Sequence, residues 1–234
     1  MYTGQVVLIT GASKGLGSKL AEHFAMQNAS VIGFSRSRGA LEHANYRHFC
    51  VDVRDETQVR AAFGEIRSEF GKLDVLVNNA AIAASQFVAL TPTAAAEDVF
   101  KTNFLGSFTV CREAVRVMMK QKYGRIVNMS SMMVPLRPAG GAVYSASKAA
   151  LTQFTQVLAK EVADYGITCN VLGVSAIETD MWKDIAKEKL MSLLQQLPQK
   201  EVATLEDITN VVDFFASKAS GAVTGQVVYL GGAY

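Results

Sequence analysis

The chain is short of cysteine, short of proline and without an excess of charge of either sign, and each shortage rules something out. Three cysteines among 234 residues, Cys50, Cys111 and Cys169, are odd in number and widely spaced. They build neither a disulfide framework nor a paired metal site, so a reducing, cytoplasmic compartment is expected. The three histidines, His23, His43 and His48, fall in no HExxH-like cluster, and no metal is expected. Four prolines and no linker-like or low-complexity stretch predict one domain over 1–234. With 23 basic against 21 acidic residues the net charge is +2, and the basic residues form no dense run. That leaves no electrostatic footprint for nucleic acid or an anionic membrane. No apolar run reaches the ~20 residues of a membrane helix. The opening "MYTGQVVLIT" carries neither the basic region nor the cleavage site of an export signal.

What is present alternates. Short apolar runs at 5–10, 30–34, 47–53, 74–78, 124–130, 167–173 and 225–230 read as strands. Helical spacing fills 15–28, 56–70, 94–122, 142–164 and 205–217, with a break near Thr102–Asn103. Strand–helix alternation implies βαβ units, a parallel sheet and right-handed crossovers. The fold class is therefore α/β: one doubly wound (Rossmann) seven-stranded sheet with helices on both faces. The segment 176–200 follows a strand's carboxyl end, where such folds bind ligands, and is a candidate substrate lid.

"TGASKGLG" (10–17) stands where the first strand gives way to the first helix. Gly11 suits the tight turn, Gly15 lets backbone approach a pyrophosphate, and Gly17 allows close helix–strand packing. The helix N-terminus then offers free N–H groups to phosphate. An NAD site commonly has an acid about 20 residues further on, for the ribose 2′-hydroxyl. Here that place holds Ser35, Arg36 and Ser37, and Lys14 adds a second cation. The pattern predicts preference for NADPH/NADP+; the competing reading of Arg36 is a solvated surface side chain.

In "YSASK", Tyr144 and Lys148 stand at i and i+4, one turn apart on one helix face. Such pairs arise by chance, so position decides. This one opens a long helix just after a strand ending in Ser130 and Ser131. A free tyrosine titrates near pH ~10; an ammonium beside it, with a cationic cofactor ring, favours tyrosinate and lowers that value. A serine hydroxyl can hold the substrate oxygen alongside.

At this point the chain resembles the short-chain dehydrogenases/reductases over nearly its whole length. "TGASKGLG" resembles the family's cofactor turn, and "CVDV" the strand-end aspartate that contacts adenine, here Asp52. "NNAA" (78–81) resembles the family's NNAG, with Ala81 for glycine. Asn103 falls at the catalytic asparagine, and Ser131 stands thirteen positions before Tyr144, the family interval. The resemblance implies that Tyr144 donates a proton to a substrate carbonyl, Ser131 holds that oxygen, Lys148 holds the cofactor ribose and tunes Tyr144, and Asn103 positions a relay water. It implies a cofactor site of Gly11, Ser13, Lys14, Gly15, Leu16, Gly17, Ser35, Arg36, Asp52, Val53, Asn79, Ala80, Tyr144, Lys148, Ile177 and Thr179. It also implies a homotetramer, or a dimer, formed through the two long helices.

The chain departs from the family at Val174–Ser175, where a Pro-Gly pair is common, and at Leu230, where an aspartate often stands. "ETDM" and the length look most like the 3-oxoacyl-acyl-carrier-protein reductases, which implies a 3-oxoacyl thioester substrate and a role in fatty acid biosynthesis. Another ketone or secondary alcohol, and a nucleotide-binding regulator without turnover, are the alternatives. Lys120, Lys122, Arg125 and Arg137 read either as a docking patch for an acidic carrier or as solvated helix ends. The 134–143 loop, Met181 and Trp182 read as an apolar entrance or as the core of the lid.

Overall fold

A computed structural model of the chain describes residues 2–83, 85–175 and 187–233, with the backbone alone for 187–190. The strands are β1 (Val6–Thr10), β2 (Ser30–Ser35), β3 (Tyr46–Cys50), β4 (Val75–Asn78), β5 (Gly124–Ser131), β6 (Ile167–Val174) and β7 (Val227–Tyr229). The α-helices are α1 (Gly15–Met26), α2 (Glu56–Phe70), α3 (Thr93–Phe100), α4 (Ser107–Gln121), α5 (Met133–Leu136), α6 (Ala142–Val162), α7 (Lys187–Leu194) and α8 (Leu205–Ala216). One π-helical turn, Lys101–Gly106, joins α3 to α4. The sheet runs β3-β2-β1-β4-β5-β6-β7, and every neighbouring pair is parallel. The doubly wound sheet expected from the alternation is the one observed.

Strand alternation sorts the core into two layers. Val6 and Leu8 of β1 face a cluster with Phe63 and Ile66 of α2, Val110 and Met118 of α4, and Leu158 of α6. Val7 and Ile9 face the other side, where Leu20 and Phe24 of α1 meet Ile208, Val212 and Phe215 of α8. Both faces are covered, which is why β1 is buried at every residue. Polar devices close the helix ends. Asp55 accepts from the amides of Thr57 and Gln58 at the start of α2, and Thr204 and Asp207 form a reciprocal capping box on α8.

The chain reverses its direction of winding between β1 and β4, and at such a switch point the strand ends open a crevice. Among the described residues no helix is long and apolar enough to cross a membrane.

Candidate active site

The crevice at the carboxyl ends of the strands has a volume of about 800 Å³. Of the expected cofactor-binding and catalytic residues, fourteen line it: Gly11, Ser13, Lys14, Gly15, Leu16, Ser35, Arg36, Asp52, Val53, Asn79, Ala80, Ser131, Tyr144 and Lys148. Gly17 and Asn103 lie behind its wall. Ile177 and Thr179, with Met181 and Trp182, lie outside the described residues.

At one end, β1 hands over to α1 through a turn stitched to its neighbours. The amides of Gly11 and Ala12 donate to the Phe34 carbonyl at 2.7 and 3.2 Å. Thr10 Oγ1 accepts from the amides of Asn79 and Ala80, and Asn79 Nδ2 donates to the Thr10 carbonyl at 3.0 Å. That closeness dictates the glycines. A Cβ on Gly17 would stand 2.2 Å from the Gly11 carbonyl oxygen and 2.6 Å from Asn79 Nδ2. Gly15 is different: its φ is +58°, and a Cβ there would meet nothing within 4 Å. Gly17 is thus required by packing and Gly15 by backbone conformation.

Beside the turn, Lys14 and Arg36 are both exposed at the crevice rim, and Ser35 Oγ donates to the Ser37 carbonyl. The strand bearing "CVDV" stops earlier than its pattern predicts. Its only partner among the described residues, β2, ends in a Ser35–Cys50 pair, so Val51, Asp52 and Val53 continue as loop. The Asp52 carboxylate is held by the Arg54 fork, with Nε at 3.0 Å from both oxygens and a terminal nitrogen at 2.6 Å. Arg54 holds its carboxyl below the usual range, against a smaller opposing effect of burial. Arg54 also lines the crevice and was not anticipated; a basic residue two positions past Asp52 was the available signal.

At the other end, Ser131 closes β5, and Tyr144 and Lys148 occupy the first two turns of α6. Ser131 Oγ accepts from the Met133 amide at 3.2 Å and lines the crevice together with Tyr144. Ser130 instead turns to Thr152 and the Lys148 carbonyl. Asn103 projects from the π-helical turn, a widened helical geometry frequent at functional sites. Its Oδ1 accepts from the Ile82 amide at 2.8 Å, and its Nδ2 donates to the Ile82 carbonyl and to Ser147 Oγ at 3.0 and 3.1 Å. Ser147 Oγ in turn donates to the Tyr144 carbonyl at 2.7 Å. Asn103 therefore braces the 81–83 loop and the helix under Tyr144, with both amide hydrogens engaged.

The titration of the pair differs from the sequence expectation. Burial pushes the Tyr144 phenol up, and the nearby Ser131 hydroxyl opposes it with a smaller effect. Lys148 does not lower it, because its side chain turns back to β5 and donates to the Met129 carbonyl at 2.7 Å. Burial brings the Lys148 ammonium down to about 8.

The substrate side of Tyr144 is apolar. Met132 and Met133 pack with Leu193, Leu194, Leu197 and Ala233, and Tyr144 and Tyr229 lie against them. Ser175, at the position of the family glycine, is buried without a positive φ, so a residue with a side chain stands there unstrained. Its Oγ donates to Met132 Sδ at 3.6 Å.

The four basic residues read as a carrier patch or as solvated helix ends do not share one surface. Arg125 is buried, donating to the carbonyls of Ser217, Gly124, Gly166 and Lys218 and stacked over Tyr123. Lys120 and Lys122 precede β5, at the edge opposite Ser131 and roughly 20 Å away by strand rise. Arg137 alone of the four is exposed on the crevice side, just after α5.

The model of the short chain dehydrogenase family matches residues 5–190. The 3-oxoacyl-[acyl-carrier-protein] reductase FabG of Escherichia coli (strain K12) is 33% identical over 237 residues, covering 99% of this chain and 97% of that protein. FabG of Vibrio cholerae is 34% identical over 235 residues, covering 98% and 96%. The solved structure of ElxO with NADP bound superposes with a TM-score of 0.89 at 30% identity, covering 97% of this chain and 96% of that one. A doubly wound parallel sheet, a glycine-rich turn at its switch point and a Ser-Tyr-Lys cluster in the same crevice accord with these matches, and the chain belongs to the short-chain dehydrogenase family of oxidoreductases.

Proposed function

We propose that the protein is an NADPH-dependent carbonyl reductase that converts a 3-oxoacyl thioester to its 3-hydroxyacyl form, in the cytoplasm and within fatty acid biosynthesis. The observation that carries the reading is one crevice with Lys14 and Arg36 at one end and Ser131, Tyr144 and Lys148 at the other. The dinucleotide fits the residues present. Gly15 leaves open space beside the helix N-terminus, where N–H groups favour phosphate. At the end of β2, two cations and no carboxylate suit a 2′-phosphate. Gly11, Ser13, Lys14, Gly15, Leu16, Ser35, Arg36, Asp52, Val53, Asn79 and Ala80 would hold it, with Ile177 and Thr179 on the nicotinamide side by family resemblance. Bound there, the dinucleotide supplies hydride to the carbonyl carbon.

The chain's own groups handle the oxygen. Ser131 donates a hydrogen bond to the substrate oxygen, orienting it against the Tyr144 hydroxyl. Tyr144, protonated at neutral pH and raised further by burial, gives its proton to the developing alkoxide. Lys148, cationic at neutral pH, stabilises the tyrosinate left behind once it leaves the Met129 carbonyl for the cofactor side. Asn103 holds the helix that carries them. The buried apolar cluster of Met132, Met133, Leu193 and Leu194 against Tyr144 is the side on which the acyl chain would enter, and 176–200 is read as the lid of a single domain.

A second reading, reduction of another ketone, is favoured by the burial of Arg125 and the remoteness of Lys120 and Lys122. Assaying NADPH oxidation with acetoacetyl-CoA, an acetoacetyl carrier protein and a panel of simple ketones separates the two. Turnover of either thioester is expected; turnover of ketones alone selects the second reading. The homotetramer implied by the family is supported by apolar side chains exposed on α4 and α6.

A further inference from the structure

At the β3 edge of the sheet, three side chains form a directed chain that ends on the cofactor side of the crevice. β3 presents Tyr46 and His48 on one face, beside their register partners Val31 and Gly33, and Ser35 follows on that face of β2. The Tyr46 hydroxyl lies over Gly33, where a Cβ would stand 2.2 Å from it. Gly33 has no positive φ, so the close approach of the phenol, not the backbone, calls for glycine there. The same hydroxyl is 3.1 Å from His48 Nδ1, and His48 Nε2 is 3.4 Å from Ser35 Oγ. Ser35 Oγ donates to the Ser37 carbonyl at 3.0 Å. That last bond settles the other two. Ser35 has used its one hydrogen, so it accepts from His48 Nε2–H, and Nδ1 is left to accept from the Tyr46 phenol. Burial, with the Arg38 charge acting the same way, pushes His48 toward the neutral form this arrangement needs, against a smaller effect from Ser35.

Arg36 stands between the two ends of the Ser35–Ser37 bond. The bond clasps the backbone on either side of it, and His48 holds the hydroxyl that makes the bond. Further on, Gly39 seats the same segment against the glycine-rich turn, where a Cβ would stand 2.4 Å from the Ser13 carbonyl oxygen. The stretch carrying Arg36 is thus tied to β3 at one end and to the residue before Lys14 at the other. Ser35, Arg36 and Ser37 line the crevice, and His48 stands behind them. We propose that His48 is a positioning residue for coenzyme choice, which through Ser35 fixes the turn that aims Arg36 at the 2′-phosphate. The proposal rests on reading Arg36 as the partner of that phosphate.

The test is equilibrium binding of NADPH and of NADH by fluorescence titration, with Tm alongside. His48→Leu occupies similar space without a donor. It should weaken NADPH about fivefold, the effect of one lost hydrogen bond, and leave NADH within about twofold. His48→Gln can place its amide nitrogen where Nε2 stands, and should keep NADPH within about twofold of wild type. Tyr46→Phe keeps the ring over Gly33, removes the hydroxyl that fixes the tautomer, and should weaken NADPH by less than His48→Leu does. In an Arg36→Ala background His48→Leu should add less than about twofold, because the arginine it aims is gone. A merely structural His48 would lower Tm and weaken both dinucleotides alike, or leave both unchanged, and either result overturns the proposal. So does a loss that persists undiminished with Arg36→Ala, or one that His48→Gln shares in full. Wild type binding NADH as tightly as NADPH removes the 2′-phosphate reading and this proposal with it. A preference for NADPH that survives intact in His48→Leu overturns the proposal alone.

Discussion

A tyrosine that is to give a proton to a carbonyl must hold one at neutral pH; a free phenol already does, and burial of Tyr144 raises it further. Tyr144→Phe should therefore cut kcat by about 10²- to 10⁴-fold with NADPH affinity unchanged, read by steady-state kinetics and fluorescence titration. Lys148 makes a different prediction, about stability. Burial lowers its ammonium from 10.5 to about 8. Below that range both folded and unfolded chains are charged, and the folded one bears the full desolvation penalty. Between the two values the unfolded chain keeps the proton that the folded chain has released, so stability rises with pH across this window. Lys148→Met in the cofactor-free protein should gain about 1–3 kcal/mol at neutral pH, even after losing the bond to the Met129 carbonyl. The gain should shrink as pH rises through the window, while turnover collapses; a lower Tm at neutral pH would contradict the burial argument. Arg36→Asp should reverse the NADPH/NADH ratio of kcat/KM, and an unchanged ratio would return Arg36 to the solvated surface.

Elements make their own demands on the same residues. The glycine turn contains two glycines with opposite reasons, and alanine distinguishes them. Gly15→Ala places a side chain at φ +58° in open space and should cost about 1 kcal/mol. Gly17→Ala drives a methyl into the Gly11 carbonyl, whose strand is pinned to Asn79, so nothing nearby can yield. It should lower Tm far more than Gly15→Ala and abolish NADPH binding; equal effects in thermal melts would refute the packing account. The sequence pattern foresaw the helix break near Thr102–Asn103, because polar residues interrupt the apolar stripe there. It could not foresee that the break is a π-helical turn, which depends on Asn103 finding Ile82 and Ser147 across the fold. β3 was read three residues too long for a related reason. "VDV" has the alternation of a strand, but an edge strand ends where its single neighbour ends. The short α5 and α7 lacked any periodic run long enough to announce them.

At the scale of the whole molecule, a parallel sheet has two unlike edges, and this polarity decides which residues share a site. Sequence order alone shows that Ser131 ends a strand and that Lys122 precedes one, so their placement at opposite edges was legible. The burial of Arg125 was not, because its four carbonyl partners come from separate stretches of chain. Nor could sequence divide the apolar residues of the long helices between sheet and solvent. In the structure Val110, Met118 and Leu158 face the sheet, whereas Leu105, Phe108 and Val157 are 48%, 37% and 46% exposed. Phe104 and Phe108 both set their rings edge-on to Phe154, joining α6 to the π-helical turn and to α4 in one outward-facing patch. Aromatic and aliphatic side chains that are exposed in one subunit and contiguous across two helices are what a self-complementary contact buries. Leu105→Asp and Val157→Asp alter side chains that pack little within the subunit, so each should change monomer stability by less than about 0.5 kcal/mol. Burying one such carboxylate at every copy of an apolar contact is far more costly. Light scattering should therefore find wild type as a dimer or tetramer and Val157→Asp shifted toward monomer, with unchanged circular dichroism. Monomeric wild type at micromolar concentration would rule the interface out.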